Sequence, residues 1–113
     1  MIDHSLLCST IIIFLNAAGN FAWKNQTGVV RKSGCWIQYG YPGSPDILCV
    51  MKGGQFLGVE VKIGKDKQRD KQKLFEDIVK KIGGHYLLVK TFDQFNELYQ
   101  AILSRGTASA TPE

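Results

Sequence analysis

The sequence predicts an α/β fold with a mixed central sheet flanked by helices, and three observations lead to this class. Two runs, 47–51 and 57–63, are apolar on both faces of a strand, which is typical of strands inside a sheet that helices cover. A helical pattern followed by a strand-like run at 85–90 predicts a crossover that adds a parallel strand. The chain has 113 residues, 44% of them hydrophobic, which suits a single core.

The N-terminal apolar run is expected to form the first helix. Asp3 or Ser5 can cap its start, and Gly19 can end it. No Lys or Arg precedes the run, and it is too short to cross a bilayer, so a signal peptide or membrane anchor is not expected. Its apolar residues recur at helical spacing: Leu7, Ile11, Phe14 and Leu15.

The next part of the chain is expected to alternate strands and turns. Residues 21–24 predict a first strand, 29–34 a loop or short strand, and 36–39 a second short strand. After the strand at 85–90, a last helix is expected to begin at Thr91 or Asp93. The predicted domain covers 1–103, and the polar, small-residue segment 104–113 is expected to be a disordered tail.

Charge is concentrated in one segment. Residues 62–81 contain eight Lys or Arg and four Asp or Glu, a net +4, which equals the formal charge of the whole chain. A positive field confined to one segment favours a polyanion such as DNA. A helix is expected here, with a buried stripe at Leu74, Phe75, Ile78, Val79 and Ile82. The candidate DNA contacts are Lys65, Lys67, Gln68, Arg69, Lys71 and Lys73.

Three charged residues flank the two apolar strands: Asp46, Glu60 and Lys62. Burying such charges is costly unless they pair with each other or bind a metal. The turn decides whether they meet, because a one-residue change of register moves a side chain to the other face. A three-residue loop at 52–54, with Gly54 left-handed, would place Asp46 opposite Glu60 and Lys62 diagonally adjacent. We expect this register rather than a two-residue Gly-Gly turn.

Two carboxylates at one cross-strand spacing repel each other, and a divalent cation relieves that repulsion. Mg²⁺ or Mn²⁺ held by carboxylates keeps positions open for water and a phosphate oxygen. An ammonium group beside the ion, from Lys62, can orient a water or neutralise charge on phosphorus. The arrangement suits phosphodiester hydrolysis. The alternative is a hairpin edge with a solvated cluster of charges.

The spacing of these residues resembles a known nuclease pattern. Pro45-Asp46 followed by Glu60-Val61-Lys62 resembles the PD-(D/E)xK signature. Longer strings resemble the VRR-NUC (virus-type replication-repair nuclease) family: GSPDI at 43–47, GVEVK at 58–62, WKNQTG at 23–28 and GGH at 83–85. The resemblance covers most of residues 4–95 and implies a restriction-endonuclease-like α-β-β-β-α-β core.

The resemblance also implies roles for individual residues. Asp46, Glu60 and the Val61 carbonyl would hold the metal, with Lys62 acting on water and Gln72 holding a phosphate or water. The family glutamate near the start of the first helix falls on His4, which is a departure. His4 is either a further metal ligand, which would favour Mn²⁺ over Mg²⁺, or a surface histidine at the terminus.

The resemblance implies a homodimeric endonuclease for Holliday junctions or other branched DNA, since two symmetric nicks need two sites. The first or the last helix is expected to supply the dimer face. Cys8, Cys35 and Cys49 are scattered and odd in number, which argues against disulfides and structural zinc and for an intracellular compartment. Two alternatives stay open: a non-catalytic nucleic-acid-binding module that has lost the first-helix glutamate, and a sequence-specific restriction-type nuclease.

Overall fold

A computed structural model describes residues 3–109 of the chain, and side chains as far as Arg105. The mixed α/β class is confirmed by its three helices and six strands. In chain order these are α1 (His4–Ala17), β1 (Phe21–Lys24), β2 (Gly28–Lys32), β3 (Cys35–Tyr39), β4 (Ile47–Val50), β5 (Phe56–Val61), α2 (Asp70–Ile82), β6 (His85–Val89) and α3 (Phe92–Ser109).

The main sheet has four strands in the order β1-β4-β5-β6. The first two pairings are antiparallel and β5–β6 is parallel, so the crossover through α2 adds the parallel strand that the sequence predicts. The strands β2 and β3 form a separate antiparallel hairpin between β1 and β4. The sheet therefore holds the first, fourth, fifth and sixth strands, and the hairpin of the second and third strands is an insertion.

The hairpin between β4 and β5 has the predicted odd register. Val50 pairs with Phe56 and Ile47 with Val59, and the Met51 amide donates to the Gln55 carbonyl at 2.8 Å. Gly54 has φ +95°, a left-handed conformation that L side chains rarely adopt. Continued by one residue, this register sets Asp46 opposite Glu60.

The core lies between the sheet and the helices α1 and α3. Asp3 caps α1 through a hydrogen bond from the Leu6 amide to its carboxylate at 2.7 Å. Phe14 contacts Phe95 and Tyr99 of α3 edge-on. The fully buried side chains include Leu7, Ile11 and Leu15 of α1, Ile47, Leu57, Val59, Val61 and Val89 of the sheet, and Phe95 of α3. This layer aligns the start of α1 with the strand ends that bear the charged residues.

The predicted buried stripe on α2 is wrong. No residue of α2 is buried, and Leu74, Ile78 and Ile82 are exposed. The helix packs through Phe75 on Phe56 of β5 and Tyr86 of β6, and it leaves the same face of β1 and β4 uncovered. Helical spacing identifies an apolar face, but it does not determine whether another element covers that face.

Three smaller expectations also need correction. The strand β4 is not buried on both faces, because Val50, on the α2 side of the sheet, lies beyond the part of that face that α2 covers and is exposed. The basic segment is helical only from Asp70, so 64–69 is a loop. The last helix continues to Ser109, six residues past the predicted domain end at 103. Residues 110–113 of the predicted tail lie outside the described residues.

Within residues 3–109, none of the helices is both long enough and apolar enough to cross a membrane.

Candidate active site

The two predicted metal-binding carboxylates meet at one end of the central hairpin. Asp46 immediately precedes β4, and Glu60 is the penultimate residue of β5. The Val61 amide donates a hydrogen bond of 2.8 Å to Asp46 Oδ2, which holds this carboxylate at the end of β5. Burial raises the pKa of Glu60, and the charge of the neighbouring Asp46 raises it further.

Pro45 explains how the Val61 carbonyl becomes available. In the hairpin register Pro45 lies opposite Val61, at a position where the two residues would exchange both ladder hydrogen bonds. Proline has no amide hydrogen, so it cannot donate to the Val61 carbonyl. The Pro45 carbonyl instead accepts from Asn25 Nδ2 at 2.9 Å. The Val61 carbonyl, predicted as a metal ligand, therefore lacks its ladder donor on the Asp46 side.

Glu60 is buried, only 2% exposed, and this dominates its chemistry. Burial raises its pKa, the charge of Asp46 raises it further and Lys62 lowers it, with a resulting pKa of about 7. Its Oε1 atom has no hydrogen-bond partner although it is buried. A buried carboxylate with one unpaired oxygen beside a second carboxylate fits a divalent cation, which would supply the missing partner and offset the repulsion.

Lys62 is also buried, 4% exposed, just after β5. Its Nζ lies 3.3 Å from Glu60 Oε2 and 3.7 Å from Asp66 Oδ2. The Lys62 amide donates to the Val89 carbonyl at 3.0 Å, which extends the β5–β6 pairing beyond Val61. The predicted contact between Glu60 and Lys62 is thus present, and the ammonium is held at a fixed place next to the carboxylates.

Gln72 is brought into the site, as predicted. Its Nε2 donates to Glu60 Oε2 at 3.0 Å, and its Oε1 accepts from the Arg69 amide at 2.8 Å. The side chain thereby ties the start of α2 to Glu60. In this arrangement Gln72 orients the carboxylate.

The predicted DNA contacts divide into two groups. The five cationic residues are all exposed: Lys65, Lys67, Arg69, Lys71 and Lys73. Gln68 is partly buried and donates from Nε2 to Glu76 Oε1 at 2.8 Å, so it supports the fold instead of facing solvent. Arg69 and Lys71 line a cavity of about 290 Å³ with Gln72, Ser44 and Thr27. That cavity adjoins the carboxylates through Gln72.

His4, which stands where the VRR-NUC pattern has a glutamate, also lies at the site. Its Nε2 atom lies 3.3 Å from Asp46 Oδ2. Cys8, which was not predicted as a site residue, lies one turn further along α1, with its Sγ 3.8 Å from His4 Nδ1. The i,i+4 spacing of a histidine and a cysteine near a helix start is the signal that could have drawn attention to it.

No protein-family model, curated protein or solved structure matches this chain. Function is therefore inferred from the geometry of the site.

Proposed function

We propose that this protein is a divalent-metal-dependent, structure-selective DNA endonuclease with a restriction-endonuclease-like core of the VRR-NUC type. The observation that carries the proposal is the pair Asp46 and Glu60 at one strand end. Glu60 Oε1 is buried and unpaired, and the Lys62 ammonium lies 3.3 Å from the other oxygen, Oε2. Structural ion pairs rarely leave a buried carboxylate oxygen unsatisfied, whereas ion-binding sites require a free one.

Asp46, Glu60 and the Val61 carbonyl would hold Mg²⁺ or Mn²⁺ in this proposal. Such an ion supplies Lewis acidity toward a phosphoryl oxygen and lowers the pKa of a bound water. Lys62 stabilises negative charge that develops on the phosphate, because its ammonium is buried and already oriented. Gln72 keeps Glu60 in position through its hydrogen bond to Oε2.

The DNA backbone would pass the start of α2. Arg69 and Lys71 line the cavity beside Gln72, and three further lysines are exposed on the same segment. These side chains neutralise phosphates without reading bases, so they support affinity and not sequence preference. This favours recognition of DNA shape, such as a branch or four-way junction, over a restriction-type preference for a sequence.

A homodimer is part of the proposal, because two symmetric nicks need two sites. The exposed apolar residues on the α2 side of the sheet support that face as the interface, in place of the first or last helix. They are Phe21, Trp23, Val50, Leu74, Ile78 and Ile82. Their exposed surface is roughly 600 Å², most of the about 800 Å² that each partner contributes to a standard interface.

The oligomeric state can be measured by size-exclusion chromatography with light scattering. We expect a dimer for the wild type and a monomer for Leu74→Glu/Ile78→Glu. Ile13→Glu, which changes an exposed apolar residue of α1, is the matched control and should remain dimeric. A monomeric wild type at micromolar concentration would refute the dimer.

The catalytic proposal is tested by incubating the protein with a four-way junction and a linear duplex, in Mg²⁺, Mn²⁺ or EDTA. We expect metal-dependent cleavage of the junction, lost in Asp46→Ala and Lys62→Ala while both variants still bind it. Cleavage of linear duplex at a defined sequence would instead identify a restriction-type enzyme.

A second candidate function is a non-catalytic DNA-binding module. It is favoured by His4, which stands where the family pattern has a glutamate and lies against Asp46, so the site has one carboxylate fewer. Junction binding without cleavage in any of the metals would support this alternative over the nuclease.

A further inference from the structure

A second cluster of potential metal ligands lies beside Asp46. His4, Cys8 and Asp46 each offer one donor atom, and these three atoms lie within 4.8 Å of one another. The cluster joins two distant parts of the chain, since 42 residues separate His4 from Asp46. It arises because α1 starts at the same end of the sheet as β4.

The donors of this cluster lie close to, but not at, the separations found around a small tetrahedral ion. Zinc–nitrogen and zinc–oxygen distances near 2.0 Å and zinc–sulfur distances near 2.3 Å place ligand atoms about 3.3–3.6 Å apart. His4 Nε2 lies 3.3 Å from Asp46 Oδ2, and Cys8 Sγ lies 3.8 Å from His4 Nδ1. These two contacts use different nitrogens of the half-exposed His4 ring, and only one nitrogen would bind the ion, so the ring must shift when the ion binds. The three side chains lie within reach of one ion, and the bound geometry requires this adjustment of His4.

The chemistry of the donors selects the ion. A thiolate and an imidazole favour Zn²⁺ and other thiophilic ions, whereas Mg²⁺ prefers oxygen. Cys8 is buried, 1% exposed, and burial raises the pKa of its thiol despite the nearby positive charge of Lys24. Binding would form a metal–sulfur bond and release the thiol proton to solvent, as at other zinc–cysteine sites.

We propose that His4, Cys8 and Asp46 bind Zn²⁺, and that this ion inhibits the nuclease by occupying Asp46. The binding site stands on its own, and only the inhibition rests on the proposed function. Asp46 Oδ2 is held by the Val61 amide at the junction of the two sites, so one carboxylate serves both. A thiophilic ion bound to Asp46 adds positive charge where the Mg²⁺ or Mn²⁺ of the nuclease would bind. That charge repels the Mg²⁺ or Mn²⁺ and weakens its binding.

Metal binding can be measured without reference to activity. Titration of the reduced, full-length protein with Co²⁺ should give the near-ultraviolet absorption of a cobalt–thiolate bond, saturating at one ion per chain and displaced by Zn²⁺. Cys8→Ala should lose the band, and His4→Ala should weaken Zn²⁺ binding at least about 10-fold. Cys35→Ser, which changes an exposed cysteine, should keep the band and the affinity of the wild type.

A band that persists in Cys8→Ala, or that disappears in Cys35→Ser, would overturn the assignment, as would the absence of any band in the wild type. Should Cys8→Ala fail to fold, His4→Ala decides the question, because its side chain is partly exposed and lies outside the core. Zn²⁺ binding to His4→Ala with wild-type affinity would then refute the site.

Inhibition is measured separately, as the Zn²⁺ concentration that halves junction cleavage in Mg²⁺. We expect that concentration to rise at least about 10-fold in Cys8→Ala, each protein being compared with its own activity in the absence of Zn²⁺. Equal inhibition of wild type and Cys8→Ala would refute the inhibitory role. If the protein cleaves no DNA, the proposed nuclease function fails, while the absorption titration still decides the metal site.

Discussion

Two groups of charged residues lie on either side of Gly64, and their surroundings differ completely. Glu60 and Lys62 are buried, paired with each other, and fixed by Gln72 and by the strand ladder. The cationic residues from Lys65 to Lys73 are exposed. Buried charges interact strongly and at defined distances, whereas exposed charges are screened and contribute mainly a field. In the proposed function, the first group performs the chemistry and the second attracts DNA.

The largest effect should follow from neutralising a buried carboxylate. Glu60→Gln keeps the shape of the side chain but removes the charge that a divalent ion requires. We expect junction cleavage to fall by about 10³-fold or more, with junction affinity within about threefold of the wild type. Single-turnover cleavage and a gel-shift titration measure the two quantities. A variant that retains a tenth of the activity would show that Glu60 is not a metal ligand.

The buried and exposed lysines offer a direct contrast. Lys62→Met should lower the cleavage rate by about 10²-fold or more, because a preorganised ammonium is lost beside the reacting phosphate. Lys65→Met removes the same charge three residues away and should change the rate less than threefold. Equal effects of the two substitutions would mean that Lys62 acts only through the general field.

The contrast also predicts an unusual pH dependence of stability when EDTA removes all metal. The pKa of Glu60 is about 7 in the folded protein and near 4.5 when unfolded, so the folded state binds more protons between these values. The free energy of unfolding should therefore fall as pH rises from 4.5 to 7, by of the order of 2 kcal/mol. Urea denaturation at several pH values measures this.

Glu60→Gln is the control for that measurement, because it cannot ionise. The free energy of unfolding of Glu60→Gln should not show the fall between pH 4.5 and 7 that is expected for the wild type. If the wild type and Glu60→Gln show the same pH profile, the carboxyl of Glu60 is not protonated near neutral pH, and burial does not raise its pKa.

The smallest effects should come from the exposed cations. Lys71→Ala and Lys73→Ala should each weaken junction binding about two- to fivefold and reduce the slope of log affinity against log salt by about 1 if the side chain contacts a phosphate. Lys32→Ala, an exposed lysine on the inserted hairpin, serves as the comparison. An equal loss from Lys32→Ala would show that the field is not confined to the α2 segment.

The main features of the site could be predicted because short-range rules govern them. Gly54 fixes the hairpin register, and that register alone sets Asp46 opposite Glu60. The pairing of Glu60 with Lys62 follows from their shared strand face and from the cost of burying an unpaired charge.

The features that were missed depend on how distant elements pack. Leu74 and Ile78 have helical spacing, yet nothing among the described residues covers them. A periodic pattern does not show whether another element covers the apolar face of a helix. Cys8 approaches Asp46 only because α1 begins over the start of β4. Gln72 was placed at the site only by the family resemblance, because its contact with Glu60 depends on α2 starting beside the end of β5, a distance that no local pattern encodes.

The proposed nuclease requires Asp46 and Glu60 to hold one divalent ion together, and isothermal titration of Mn²⁺ into metal-free protein tests this directly. Asp66→Asn is the matched control, since it removes an exposed carboxylate that also lies near Lys62. We predict Mn²⁺ binding to the wild type and to Asp66→Asn, and its loss from both Asp46→Asn and Glu60→Gln. Binding to Glu60→Gln with the wild-type affinity would contradict the shared site and, with it, the proposed nuclease.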